Sequence, residues 1–490
     1  MKHEDIFELT NRDAKWREDL RNDIKASERT SFPRVKMPEL DPAYRVTNNE
    51  EVSQGLTLEL ALREATRCLD CPNPGCVTGC PVNIDIPAFI KNIQRGHIDD
   101  AAAVLKMTSA LPAVCGRVCP QERQCESKCI YLKMKKEPVG IGWLEQFAAD
   151  HGKTGKPLKK HIENPAKIAV VGSGPAGLSF AGTAALAGHN VVVFEALHEI
   201  GGVLKYGIPE FRLPNPVVDR EIEALAELDV EFRTDVVIGK TLSYDDLVDM
   251  GFKAVFVASG AGLPRFMGIP GENLNGVMSS NEYLTRINLM GAGRGGDTPV
   301  LAGKRVAVIG GGNTAMDSVR TALRMGAKEA IIVYRRTETE MPARRMEVHH
   351  AKEEGVTFLT LHNPEAYVGD ENGCVKEMVL RKMVLGEPDA SGRRAPVPVE
   401  GDEGRVTMPV DEVIVSVGVS PNPLIPSAFT KLEVSSKGTI IVNDSLESSI
   451  PMLFAGGDIV RGGATVILAM GDGRHAAESC VKLLEAISKE

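Results

Sequence analysis

Positive charge is in short supply in this chain: 57 lysines and arginines face 66 aspartates and glutamates, a formal net charge of -9. An acidic surface attracts neither nucleic acid nor anionic membrane, so no such partner is expected. No apolar run approaches the roughly 18 residues that would span a bilayer. The first residues, MKHEDIFELTNRD, lack an apolar stretch and are rich in acid, which argues against a secretory signal and for a cytoplasmic protein. Cysteine is missing from most of the chain. Outside one region only the isolated Cys374 and Cys480 occur, read here as ordinary thiols.

What is present is concentrated. Eight of the ten cysteines fall between Cys68 and Cys129, in the runs CLDCPNPGCVTGCP and CGRVCPQERQCESKC. This is thiol at ligand spacing, and without a secretion signal it points to a metal or redox protein rather than a disulfide scaffold. Before it, LELALREATR is apolar at helical spacing, and the spacer between the runs reads as two short helices parted at Gly96. A small helical domain over 56–160 is expected, with little core of its own and bound metal supplying the missing stability. Residues 1–55 are charged and punctuated by Pro33, Pro38 and Pro42, as a disordered tail or an arm lying on a partner would be.

At 490 residues the chain should hold roughly two to four domains, and 48 glycines with 43% hydrophobic residues suit a loop-rich α/β protein. Past the polar linker HGKTGKPLKKHIENP, a strand at Lys167–Val171 runs into Gly172-Ser173-Gly174-Pro175-Ala176-Gly177, then an alanine-rich helix, then a strand ending on Glu195. That order marks a dinucleotide-binding unit. Gly172 permits the turn, Gly174 admits a pyrophosphate, Gly177 lets helix and strand pack, and Glu195 suits ribose hydroxyls. A second copy follows: strand Arg305–Ile309, the turn Gly310-Gly311-Gly312-Asn313-Thr314-Ala315, a helix, and a strand running into Arg335 and Arg336. An acid there would repel a 2′-phosphate, whereas guanidinium forks bind one, so the second copy suits NADP unless the arginines are only a solvated pair. The segments 255–262 and 413–423 read as return strands or crossovers. In 452–477 a strand leads through Gly457 and Asp458 to a helix beginning near Thr465, and Asp458 is either a sugar-hydroxyl ligand or a turn aspartate.

GSGPAGL with Glu195, GGVLKYGIP at 201–209, VIGGGNTAMD and AGGDIVRGGATVILAMGDGR together resemble the small (β) subunit of NADPH-dependent glutamate synthase and its relatives. With the cysteine block and EPVGIGWLEQFAAD the resemblance runs from about residue 50 to the C-terminus, and it is strongest to the homotetrameric type. The cysteine domain is also similar to that of dihydropyrimidine dehydrogenases and of the large subunit of NADH-dependent ferredoxin:NADP oxidoreductases. The resemblance implies an α/β, adrenodoxin-reductase-like fold: two nested Rossmann-like domains preceded by a helical iron–sulfur domain. The FAD domain would comprise 161–295 and 412–490, around an NADPH domain at 296–411. FAD would lie on Gly172, Ser173, Gly174, Pro175, Ala176, Gly177, Glu195, Gly202, Leu204, Gly457, Asp458 and Thr465. NADPH would lie on Gly311, Gly312, Asn313, Thr314, Arg335 and Arg336.

Thiolates in fours hold zinc or iron–sulfur clusters. Zinc would be redox-silent beside a flavin, so two [4Fe-4S] clusters are the expected reading. In two-cluster ferredoxins the cysteine before proline ligates the other cluster, which groups Cys68, Cys71 and Cys76 and sends Cys80 across. The resemblance implies that Cys129 completes the first set, and that Cys119, Cys125 and Glu145 join Cys80. Simple counting would choose Cys115 instead of Glu145. The cofactors carry the chemistry, and no side chain is expected as catalytic acid or base. Residue 2 is lysine, so no N-terminal cysteine is available to hydrolyse glutamine. The implied role is electron input from NADPH to a large FMN-containing glutamate synthase subunit, within an oligomer. The alternative is the large subunit of an electron-bifurcating NADH-dependent ferredoxin:NADP oxidoreductase with a ferredoxin-linked flavin subunit.

Overall fold

A computed structural model describes residues 3–155, 159–301, 303–390 and 392–487; residues 156–158 of the polar linker lie outside the described residues. Two five-stranded parallel sheets dominate it. The first runs Leu453–Ala455, Ala254–Val257, Lys167–Val171, Asn190–Phe194, Glu231–Arg233 across its width. The second runs Val277–Ser279, Glu412–Val415, Arg305–Ile309, Glu329–Tyr334, Thr357–Thr360. Their central strands are near-continuous β-branched runs buried on both faces, as helix-covered parallel strands must be. Leu453–Ala455 returns to the first sheet after the second is complete, so the second unit is inserted within the first.

The expected return strands form: 255–257 in the first sheet and 413–415 in the second. The second sheet therefore draws strands from 277 to 415, wider on both sides than the 296–411 range. A four-stranded antiparallel sheet of His362–Gly369, Val375–Pro388, Arg394–Pro398 and Arg405–Pro409 projects from this unit, a feature absent from the sequence reading.

In the cysteine region, Thr57 caps helix Leu58–Thr66 by accepting from the Leu60 N–H at 3.3 Å, and Asp85 caps helix Ile86–Gln94 by accepting from Ala88 at 3.1 Å. Gly96, at φ +79°, parts it from Ile98–Lys106 as expected. The expectation of little core needs correcting. Phe89, Leu105, Val114 and Leu144 are fully buried in one apolar body with Phe180, Phe256 and Met470 of the first unit. The helices of this region pack on one another, and their core continues without a break into that of the first unit.

The N-terminal segment is an arm, and it lies on its own chain. Arg17 and Arg21 each reach Asp70 at 2.7 Å, Arg29 donates to the Thr66 carbonyl at 2.6 Å, and Arg45 reaches Glu354 at 2.9 Å and Glu353 at 2.8 Å in the inserted unit. Among the described residues no helix is long and apolar enough to cross a membrane.

Candidate dinucleotide and iron–sulfur site

The register that pairs Val171 with Phe194 brings the first glycine turn beside Glu195. Gly172 sits at φ +100°, and a Cβ there would lie 2.5 Å from the Ala258 carbonyl oxygen. A Cβ on Gly177 would strike the Gly172 carbonyl, whereas Gly174 has open space where its Cβ would be. The three glycines thus serve turn, packing and access in turn. The Glu195 carboxylate holds the loop, accepting from Ser173 N–H at 2.9 Å and from Leu197 N–H at 3.0 Å. Gly202, at φ +56°, lies over Gly174, with a built Cβ 2.9 Å from its Cα.

The inserted unit repeats the device. Gly310 is at φ +145° against the Ser416 carbonyl, the Tyr334 ring crowds Gly311, and Gly312 is open. Asn313 Oδ1 accepts from the Arg344 N–H at 2.8 Å, which pins the first turn of helix Asn313–Arg324. Both loops open onto one cavity of about 2300 Å³. Ser173, Pro175, Ala176, Glu195, Gly202, Gly457, Asp458, Thr465, Thr314, Arg335 and Arg336 line it as well. Gly177 does not, in keeping with its packing role. Leu204 is fully buried in the core, while its neighbours Val203 and Tyr206 face the cavity. The two arginines also part company. Arg335 is exposed, but buried Arg336 donates to Asp389 at 2.5 Å and to the Arg394 carbonyl at 2.7 Å, bracing the antiparallel sheet.

All the cysteines are thiols, with no disulfide among the described residues. Burial pushes the Cys76 thiol far up, aided by Cys68, Cys129 and Cys71 close beside it. Cys80 is pushed up to about 11, by burial first and then by Glu145 and Cys119. Glu145 is itself pushed up to about 8 by burial, and its Oε1 has no hydrogen-bond partner. The buried, unpartnered oxygen of Glu145 lies near enough to buried Cys80, Cys119 and Cys125 for its charge to raise all three thiols, and such a group of sulfur and oxygen donors suits a metal cluster. Cys115 borders the same set, but its Sγ lies 3.4 Å from the Met470 sulfur. Both the open glycine cradles and this donor set fit the groups the sequence implies. His475 takes up a structural contact, its Nε2 2.9 Å from the Asp444 carbonyl oxygen.

Residues that sequence reasoning missed complete the cavity. Tyr206 is half-buried near Asp458 and Glu195, with its phenol pushed up to about 12, by burial first. Burial likewise raises Asp458, to about 6, although its Oδ1 accepts from Ala464 N–H at 3.1 Å. Tyr206 stood within the quoted GGVLKYGIP motif, where its aromatic ring was the available signal. Val118, Pro120 and Arg123 bring the cysteine region itself to the cavity wall. Arg123 also donates to the Met341 carbonyl at 2.9 Å, tying that wall to the inserted unit.

Comparison with known proteins agrees with this division. Residues 45–156 match the family model described as dihydropyrimidine dehydrogenase domain II, 4Fe-4S cluster, and residues 166–473 match pyridine nucleotide-disulphide oxidoreductase. The chain is 38% identical over 463 residues to the glutamate synthase [NADPH] small chain of Escherichia coli strain K12, covering 92% of this chain and 97% of that one. It is 38% identical over 431 residues to the NADP(+)-dependent formate dehydrogenase subunit beta of Moorella thermoacetica, covering 82% of this chain and 59% of the relative. FprA of Mycobacterium tuberculosis in complex with NADPH shares the fold, with a TM-score of 0.56 at 21% identity over 66% of this chain and 86% of that one. The chain belongs to the pyridine nucleotide-disulphide oxidoreductases, in the family of the NADPH glutamate synthase small chain, with a 4Fe-4S domain ahead of its nucleotide-binding units.

Proposed function

We propose that this chain is an electron-input subunit that oxidises NADPH and passes the electrons to a partner subunit making glutamate from glutamine and 2-oxoglutarate. One observation carries the reading. The cavity onto which both glycine loops open also touches Val118 and Pro120, the residues on either side of Cys119. Hydride acceptance and one-electron transfer are the chemistry that FAD and two [4Fe-4S] clusters supply when bound. In this reading the chain's residues would hold those groups as follows. Gly172, Gly174 and the N-terminus of helix Pro175–Leu186 receive the FAD pyrophosphate, while Glu195 and Asp458 meet hydroxyls. Gly311, Gly312, Asn313 and Thr314 receive NADPH, and exposed Arg335 takes its 2′-phosphate. Cys68, Cys71, Cys76 and Cys129 hold one cluster, and Cys80, Cys119, Cys125 and Glu145 the other.

The relatives named glutamate synthase [NADPH] small chain support a large FMN-containing subunit as the partner. Purification from the native source tests this reading. Co-purification of a large amidotransferase subunit is expected; a small flavin-binding reductase in its place would favour the bifurcating alternative.

A further inference from the structure

The two cysteine sets differ in depth: Cys80, Cys119 and Cys125 are buried, whereas Cys68, Cys71, Cys76 and Cys129 are half-buried. An electron arriving from the dinucleotide cavity, whose wall flanks Cys119, therefore has its way out at the first set. What borders that set is specific. Cys129 ends one short 3-10 turn and starts the next, Ile130–Met134. The second turn leaves Leu132 45% exposed and Met134 39% exposed, among the exposed Lys128, Lys133, Lys135 and Lys136. The ridge has a defined shape. Lys135 closes it in the left-handed region at φ +57°, donating its N–H to the Leu132 carbonyl at 3.0 Å. The loop bearing Cys71 and Cys76 packs directly on its base: a Cβ on Gly75 would lie 2.9 Å from the Lys128 carbonyl oxygen, and one on Gly79 2.9 Å from the Lys128 Cγ.

Within 128–137 stand four lysines and one acid, Glu137, in a chain of net charge -9. We infer that this ridge is the docking surface for an acidic electron-accepting protein, whose carboxylates ring its own redox centre. The inference rests on the proposed direction of electron flow and names the chemistry of the partner. Lysines around an apolar centre give the two parts such an encounter needs: long-range steering by charge, and a patch from which water is expelled. Nucleic acid or an anionic membrane would meet the same lysines, but the acidic body behind them opposes a broad polyanionic surface.

The test uses the loaded protein and a small acidic ferredoxin as probe. Wild type is compared with Lys128→Glu/Lys133→Glu/Lys135→Glu and with a control triple, Lys240→Glu/Lys253→Glu/Lys431→Glu, on the first unit. Lys136 is left alone because its ammonium donates to the Thr30 carbonyl. NADPH-driven ferredoxin reduction and ferredoxin binding by calorimetry are both followed from low to high salt. The ridge triple should slow reduction and weaken binding at least tenfold at low salt, with the control triple within twofold of wild type and the wild-type rate falling as salt rises. Equal losses in both triples, or wild-type reduction and binding indifferent to salt, would overturn the inference. So would ridge-dependent binding to phosphatidylserine vesicles without binding to ferredoxin. Ferricyanide reduction by NADPH separates the two levels: its absence in wild type sinks the proposed function, while the binding measurement still decides the ridge.

Discussion

Arg212 and Asp317, both largely buried at the wall of the shared cavity, join the two nucleotide-binding units, the Arg212 Nη1 lying 2.6 Å from both carboxylate oxygens. Arg212 follows the GGVLKYGIPEF segment of the first unit. Asp317 stands one turn into the helix that carries the second glycine loop. Next to Arg212, the Phe211 ring is met by the guanidinium groups of Arg320 at 4.6 Å and Arg324 at 3.9 Å. A largely buried charge pair at the wall of the shared cavity therefore ties the two units together.

Breaking that pair from one side should cost about 3–5 kcal/mol, because a charge is left buried with a poorer partner. Glu347, 3.4 Å from Arg212 Nε, offers only partial compensation. Arg212→Leu and Asp317→Leu should each lower thermal stability, and the double variant should lose less than the sum of the two. Simple additivity in a denaturation cycle would show that the pair is not coupled.

Nucleotide choice should rest on Arg335 far more than on Arg336. Arg335→Ala should lower kcat/KM for NADPH roughly 10- to 100-fold and leave NADH nearly unchanged, the loss expected for a charge-assisted phosphate contact. Arg336→Ala should instead appear as lost thermal stability, since its guanidinium spans Asp389 and the Arg394 carbonyl. Steady-state kinetics with both nucleotides decides it. Equal use of NADPH and NADH by the unaltered chain would remove the premise.

Both arginines reach the cavity, but Arg336 is also held by Asp389 and the Arg394 carbonyl, partners 53 and 58 residues away that no local pattern announces. In Val203–Tyr206 one side turns to the cavity and the other to the core, a division that the motif by itself does not show. The glycine loops were legible because each glycine answers a separate steric demand that leaves a mark at fixed spacing. Arg212–Asp317 was not, because its partners are 105 residues apart and nothing local announces that they meet. The arm's attachment was hidden likewise, since Arg45 finds Glu354 only after the second unit has folded.

Acid should loosen this assembly before it reaches the nucleotide loops. Burial alone would raise the Glu354 carboxyl, but hydrogen bonds from Arg320 and Arg324 outweigh it and hold it down at about 2. A carboxyl lower in the folded than in the unfolded state adds stability above its unfolded pKa, and that stability is lost as pH falls through the folded value. Stability should therefore drop between about pH 4.5 and pH 2, by roughly 3 kcal/mol from this group. Glu354→Gln should be less stable at neutral pH and show a shallower acid limb. An unchanged limb in denaturant titrations across that range would show that Glu354 does not set it.

In the proposed arrangement of two clusters, the identity of the eighth ligand separates Glu145 from Cys115. Glu145 is buried with an oxygen that no protein group satisfies, beside Cys80, Cys119 and Cys125. Cys115 is also buried, yet its sulfur rests on Met470 of the C-terminal helix, a contact that needs no metal. If Glu145 is the ligand, Glu145→Ala should lose roughly half the iron and one of two EPR signals, whereas Cys115→Ala should keep both. The conservative Glu145→Gln should retain the iron but shift that cluster's potential, because a neutral amide replaces an anionic donor. A purely structural Glu145 predicts the opposite pattern: Glu145→Gln indistinguishable from wild type in potential, and one signal lost only in Cys115→Ala. Iron content alone would be blurred by instability, so the potential measured on Glu145→Gln is the decisive reading.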